Sequence, residues 1–230
     1  MAMNTTQEIF TLLGGRVKIH RGPYNPTSDA VWLAAFAATR NIKDVLDVGI
    51  GTGGASLCLH AHNPNIKITG LDISNTMLNE CAKNAELNDT NIELINIDIN
   101  TWRTTRTFDL VITNPPYFNG TPAKHNAHHN ADLPSWIARC IARVRPMGTF
   151  CIITDATTTA TVIAEMAKKL GDIRILPLFG AKRTAERVLI SGRLGTKGIS
   201  ILHHGISMNS PEILRDGLTI DDFLSRLSSL

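Results

Sequence analysis

The sequence predicts an α/β fold: a mostly parallel, twisted sheet with helices on both faces and an antiparallel hairpin towards the C-terminus. Three observations predict it. Short apolar runs alternate with helix-forming stretches along most of the chain, the pattern of strands joined by helical crossovers. The first central run, Val45–Val48, breaks into a turn holding Gly49, Gly51, Gly53 and Gly54. The connection from Phe179 to Arg187 is too short for a helical crossover, so the strands on either side of it are antiparallel neighbours.

Each element has a local reason. Residues 1–40 form an N-terminal appendage, in which Gly14-Gly15 separates two apolar stretches and Asp29–Ala38 is helical. A core over 41–198 follows. After the strand at Val45 and its glycine turn, a helix over Ala55–Ala61 stops ahead of Asn63-Pro64. Ile66–Asp72 alternates as a strand, and Ser74 caps a helix running to Asn88. Ile92–Ile97 and Phe108–Thr113 are further strands. A helix over Leu133–Val144 leads through Pro146 and Gly148 into a strand at Thr149–Thr154. Helix Thr157–Leu170, strand Ile173–Phe179 and strand Arg187–Ser191 complete the core. The extension 199–230 packs on it with a strand-like piece and a helix near Ile220–Leu227.

Composition sets outer bounds. At 230 residues and 43% apolar content the chain can bury one large core, and no apolar run approaches membrane-spanning length. No secretory leader is visible at Met1–Gly15. Cys58, Cys81, Cys140 and Cys151 lie far apart without metal or redox spacing, so they are expected as buried thiols of a reduced, cytoplasmic compartment. The net charge of +3 is small, but its cations cluster: Lys182, Arg183, Arg187, Arg193 and Lys197 surround Glu186, and Arg139, Arg143 and Arg145 form a second group. Phosphate contact follows only if both groups flank one cleft; otherwise they are solvated faces. The run Lys124-His125-Asn126-Ala127-His128-His129 is expected to be a polar substrate loop rather than a metal site. No obligate protein partner is evident.

In an open parallel sheet, ligands bind outside the carboxyl ends of the strands. Those ends carry Gly49-Ile50-Gly51, Asp72, Asp98 and Asn114 in succession. Glycines let a ligand approach the backbone, Asp72 is placed to accept from ribose hydroxyls, and Asp98 with Ile99 falls near an adenine edge and face. Taken singly, either acid would be an ordinary strand terminus or turn residue. Together they predict an adenosine-containing ligand. The glycine spacing fits both a dinucleotide and S-adenosylmethionine. Asn114-Pro115-Pro116-Tyr117 separates the two: prolines remove N–H donors and leave carbonyls facing outward, so the asparagine oxygen and a proline carbonyl can accept two amine hydrogens while the ring stacks on the group. No general acid for hydride chemistry is offered.

These motifs, Asp47-Val48-Gly49-Ile50-Gly51-Thr52-Gly53 followed by Asn114-Pro115-Pro116-Tyr117, resemble those of class I S-adenosylmethionine-dependent amino-methyltransferases. Over Phe10–Leu202 the chain also resembles the bacterial tRNA(Val) adenine-N6 methyltransferase family, in Gly14-Gly15-Arg16-Val17, Asp29–Phe36, Ala55–Leu59, Leu176-Pro177-Leu178 and Arg187–Ile190. His20-Arg21 and the histidine-rich loop depart from that pattern.

The resemblance implies a Rossmann-like class I methyltransferase acting on N6 of an adenine in RNA, most simply tRNA. It implies Asn114, Pro115, Pro116 and Tyr117 as the catalytic set. S-adenosyl-L-methionine would be held by Thr27, Asp29, Asp47, Gly49, Gly51, Gly53, Asp72, Ile73, Asp98, Ile99 and Asn114. The RNA is expected to contact Lys124, Lys182, Arg183 and Arg187, and no metal is implied. Three other readings stand beside it: N-methylation of a protein glutamine amide, an NAD-dependent oxidoreductase, and a non-catalytic RNA-binding module. The first is disfavoured because only about forty residues precede the first core strand, too few for the helical domain that such enzymes normally carry.

Overall fold

The computed structural model describes residues 8–39, 41–116 and 133–227. A small antiparallel pair, β1 (Ile9–Leu12) and β2 (Val17–His20), precedes helix α1 (Ser28–Ala37). The chain then runs through β3 (Asp44–Val48), α2 (Gly54–His62), β4 (Lys67–Asp72), α3 (Asn75–Leu87), β5 (Ile92–Asn96) and β6 (Phe108–Thr113). It continues with α4 (Leu133–Ile141), β7 (Val144–Asp155), α5 (Thr159–Met166), β8 (Leu170–Phe179) and β9 (Arg187–Leu194). Short strands β10 (Ile201–Leu202) and β11 (Ile206–Ser207) and helices α6 (Pro211–Leu214) and α7 (Ile220–Leu227) follow.

The main sheet has the order β10-β8-β9-β7-β6-β3-β4-β5, with β11 added to β8. Strands β5, β4, β3, β6 and β7 are mutually parallel, and β9 lies antiparallel to both β7 and β8. The chain winds outward from β3 through β4 to β5, then returns to place β6 on the other side of β3. That reversal is a topological switch point, where the flanking connections diverge and leave a crevice.

Alternation along the strands covers both faces. Val45, Ile68, Leu110 and Ile112 pack in a core shared with α1, α2 and α3, whereas Leu46, Val48, Leu71 and Val111 pack with α4 and α5. Helix α1 is buried from Asp29 to Ala37, because its apolar residues surround the axis instead of forming one stripe. Trp32 Nε1 donates to the Met208 carbonyl at 3.3 Å, and Ile206, Ile213 and Ile220 share the α1 core.

Several boundaries differ from expectation. Helix α4 stops at Ile141 instead of Val144, because Val144 already pairs with Phe108 and Pro146 disfavours helix at Arg145. Helix α5 ends at Met166 instead of Leu170, since Leu170 pairs with Leu194 and draws the chain into β8 early. The same pairing extends β9 beyond Ser191. The strand-like piece of the tail is two short strands, both parallel to β8.

Candidate functional site

Val48 and Thr113, the last residues of β3 and β6, are register partners across the switch point, so Gly49 and Asn114 leave the sheet side by side. Thr113 Oγ1 donates to the Val48 carbonyl at 2.8 Å and fastens the two strand ends together. Beyond them Gly49, Gly51 and Gly53 have φ of +76°, +56° and +87°, a left-handed backbone that glycine adopts without a Cβ penalty. Gly49 N and Ile50 N both donate to the Leu71 carbonyl, at 2.8 and 2.9 Å, which pins the turn to β4. Asn114 is exposed, Pro115 is buried and Pro116 is exposed.

The neighbouring strand ends complete the edge. Asp72 Oδ2 accepts from Gly51 N and Oδ1 from Ser74 N, each at 2.9 Å, so one carboxylate joins the glycine turn to the cap of α3. Ile73 beside it is 51% exposed, an apolar side chain left uncovered at the site. Asp98 Oδ1 accepts from the Asn100 backbone N at 2.8 Å and from Asn100 Nδ2 at 3.0 Å, the contacts of a turn acid. Ile99, expected to offer an adenine face, instead points into the α4-side core at 2% exposure, because it packs among apolar neighbours there. The exposed Ile73 is the apolar side chain this edge does present.

Asp47 is 2% exposed, and its Oδ2 accepts from Ser56 Oγ in the first turn of α2 at 2.7 Å. Burial pushes its carboxyl up to about 7; the Ser56 hydrogen bond opposes the rise, and the Asp72 charge adds to it.

The N-terminal segment borders the same edge. A Cβ on Gly54 would fall 2.5 Å from Pro26 Cβ, so only glycine lets the segment lie against the start of α2. Thr27 caps α1 by accepting from Asp29 N. Asp29 and Arg187 take roles that differ from those expected of them. Arg187 Nε donates to Asp29 Oδ2 at 3.0 Å and Nη1 to Asp155 Oδ2 at 3.4 Å and the Glu186 carbonyl at 3.1 Å. The guanidinium clasps the first turn of α1 to the ends of β7 and β9, since buried Asp29 needs a countercharge.

Lys182 and Arg183 are exposed on the β8–β9 connection at this edge. The second basic group is not. Arg145 pairs with Asp44 at 3.0 Å and Asp109 at 2.8 Å, and Arg143 donates to the Thr104 and Trp102 carbonyls, all near the amino ends of the strands. The first cluster is itself divided: Arg187 pairs in register with Asp155 at the carboxyl end of β7, whereas Arg193 pairs with Thr149 and lies beside Asp172 towards the amino edge, so its cations do not all face one cleft. Also at the amino edge, a groove of about 640 Å3 opens among Asp44, Lys67, Glu93 and Arg106, and it shares no lining residue with the glycine turn. Tyr117, Lys124 and the histidines at 125, 128 and 129 lie outside the described residues.

One residue was not anticipated. Trp136 on α4 donates from Nε1 to Thr113 Oγ1 at 3.1 Å, and its Cζ2 would lie 3.5 Å from a Cβ on Gly49. Its only signal in the sequence is an indole in the first turn of the helix that follows the proline motif.

Comparison with known proteins agrees with this geometry. The family described as "Methyltransferase small domain" matches residues 28–177. A tRNA1(Val) (adenine(37)-N6)-methyltransferase of Flavobacteriaceae bacterium (strain 3519-10) is 27% identical over 80% of this chain and 83% of its own length. A putative protein N5-glutamine methyltransferase of Methanocaldococcus jannaschii is 34% identical over 47% of this chain and 54% of its own. Among solved structures, a predicted O-methyltransferase from Agrobacterium tumefaciens superposes with a TM-score of 0.65 at 22% identity, covering 78% of this chain and 87% of that one.

Proposed function

Because the chain belongs to the methyltransferase small domain family, we propose that it transfers a methyl group from S-adenosylmethionine to the exocyclic N6 amine of an adenine in RNA, with tRNA as the substrate. The Val48–Thr113 register carries the reading, since it sets the glycine turn and the amine clamp side by side at the switch point. The adenine-N6 reading is favoured over the glutamine one because the tRNA methyltransferase relative aligns over most of the chain and the glutamine methyltransferase relative over less than half.

The residues present fit this cofactor. The left-handed glycine turn offers a close backbone approach, and the exposed Ile73 beside Asp72 offers an apolar face next to hydroxyl acceptors. The buried Asp47 carboxyl gains a reason to ionise from a cationic ligand. When bound, the cofactor supplies a methyl carbon on a positively charged sulfur leaving group.

The chain's own work is positioning. The N6 lone pair of adenine is delocalised into the ring and is a weak nucleophile. Asn114 Oδ1 and the Pro115 carbonyl accept the two amine hydrogens, which favours a pyramidal nitrogen and frees its lone pair. The same two dipoles stabilise the positive charge that grows on nitrogen, and in-line alignment supplies the rest. No strong base is required, because the product nitrogen loses a proton readily. Tyr117 is assigned to stack on a base rotated out of its helix. Lys182 and Arg183 are assigned to RNA phosphates, and Arg187 to the clasp on Asp29. This reading places the protein in the cytoplasm, where its four buried, unbridged cysteines remain thiols. Among the described residues no helix is long and apolar enough to cross a membrane.

The test is transfer of a labelled methyl group to purified RNA fractions, followed by mass spectrometry of the digested nucleosides. The expected product is 6-methyladenosine in the tRNA fraction. No label in any RNA fraction, with N5-methylglutamine appearing in a parallel assay on a protein fraction, would transfer the proposal to the other acceptor. Calorimetric binding of NAD in place of S-adenosylmethionine would end it.

A further inference from the structure

We propose that Trp136 is a positioning residue that sets the spacing between the glycine turn and the amine clamp; the inference rests on the methyl-transfer reading above. Trp136 bonds to the last residue of β6 and stands beside the first residue of the glycine turn. Its Nε1 reaches Thr113 Oγ1, one residue before Asn114, and its ring lies beside Gly49, one residue after Val48. The hydrogen bonds can run in one direction only. An indole N–H donates and never accepts, and a carbonyl accepts and never donates, so the Thr113 proton points at Val48 O while its lone pair receives Trp136. Thr113 is fully buried, which makes an unmade bond costly and the geometry rigid.

The bridge therefore joins α4 to the last residues of β3 and β6, at the point where both loops begin. Removing it leaves the strands paired below Val48 and Thr113 and releases the loops above them. Alignment for group transfer is sensitive at that scale: a displacement of about 1 Å can cost on the order of 100-fold in rate.

The test compares W136F, T113V and T113S with the wild-type chain in three measurements: steady-state kinetics, S-adenosylmethionine affinity by calorimetry, and the Trp136 indole N–H resonance of the free protein. W136F keeps a ring without the donor, and T113V keeps the volume without the hydroxyl. Both are expected to lower kcat by roughly 10- to 100-fold while the cofactor Kd stays within about threefold. T113S, which retains the hydroxyl, should restore kcat to within about threefold of wild type. The double variant W136F/T113V should be no worse than the poorer single variant, because both remove one device. In the free protein the indole N–H should shift and exchange faster in T113V but not in T113S.

Wild-type kcat in W136F and T113V would overturn the inference alone, as would kcat losses matched by equal losses of cofactor affinity or melting temperature. An unmoved indole resonance in T113V would overturn it on structural grounds. A wild-type chain that transfers no methyl group would overturn the methyl-transfer reading and take this inference with it.

Discussion

Asp47 binds a proton more tightly in the fold than its ordinary value of 3.8 allows, because burial disfavours its charge. Between about pH 4 and 7 the native chain therefore holds more proton than the unfolded one, and the fold loses stability as pH rises through that window. A cationic ligand acts in the opposite sense, since it favours the ionised carboxylate. S-adenosylmethionine affinity should thus be weaker at pH 6 than at pH 8, with a proton released on binding at pH 6, and Asp47→Asn should flatten the profile. Calorimetry at the two pH values checks this; equal affinities would show that Asp47 does not sense the ligand. Two other side chains divide the labour. Asn114→Ala should lower kcat by roughly 100- to 1,000-fold and leave cofactor Kd nearly unchanged. Asp72→Ala should raise that Kd by roughly 10- to 100-fold, because it removes the acceptor and also the tie on Gly51 N. Equal loss of cofactor affinity in both variants would contradict the division. At this scale the sequence was legible for the positions of Asp72 and Asn114, which stand at the ends of β4 and β6 as expected. It misled for Ile99, because burial of one side chain depends on the packing of α4, which no local pattern reports.

The clasp built on Arg187 joins elements that sequence distance keeps apart, 158 residues in the case of Asp29. Asp29 is 5% exposed, so deleting its countercharge leaves a buried carboxylate unpaired. Arg187→Leu is expected to destabilise the fold by about 3 kcal/mol, a fall in melting temperature of roughly 6–12 °C for a chain of this size. Removing both charges in Asp29→Asn/Arg187→Leu should recover much of the loss. Thermal unfolding of the two variants beside wild type decides it, and an Arg187→Leu protein melting with wild type would mean the clasp holds nothing. The alternation of strands and helices was readable because each element carries its own periodicity. The clasp was not, since an arginine in a basic run looks solvated until its acid arrives from elsewhere in the chain. Helix α4 was overextended for a related reason: pairing of Val144 with Phe108 outweighs local helix propensity.

Across the whole molecule the exposed cations of the β8–β9 connection share an edge with Asn114, while Arg143 and Arg145 are tied to protein partners near the opposite edge. RNA should therefore meet the carboxyl edge. Neutralising Lys182 and Arg183 to glutamine should reduce the slope of log affinity against log salt by about 1 per residue, whereas Lys67→Gln at the amino edge should leave it unchanged. Filter-binding titrations at several salt concentrations measure the slope, and an unaltered slope in the double variant would exclude the hairpin from the RNA contact. The clustering of charge was visible in the sequence, but the edge on which each cation falls depends on strand direction and crossover, which emerge only with the sheet; antiparallel β9 carries Arg187 and Arg193 to opposite ends. The placement of β9 between two earlier strands has a consequence for biosynthesis. A nascent chain that has emerged only as far as β8 still lacks the strand that fills the gap beside β7, and it lacks the guanidinium that secures α1. Until Arg187–Leu194 clears the ribosome, the nascent chain keeps an unpaired flank on β7, so its exposure to mispairing lasts until β9 emerges.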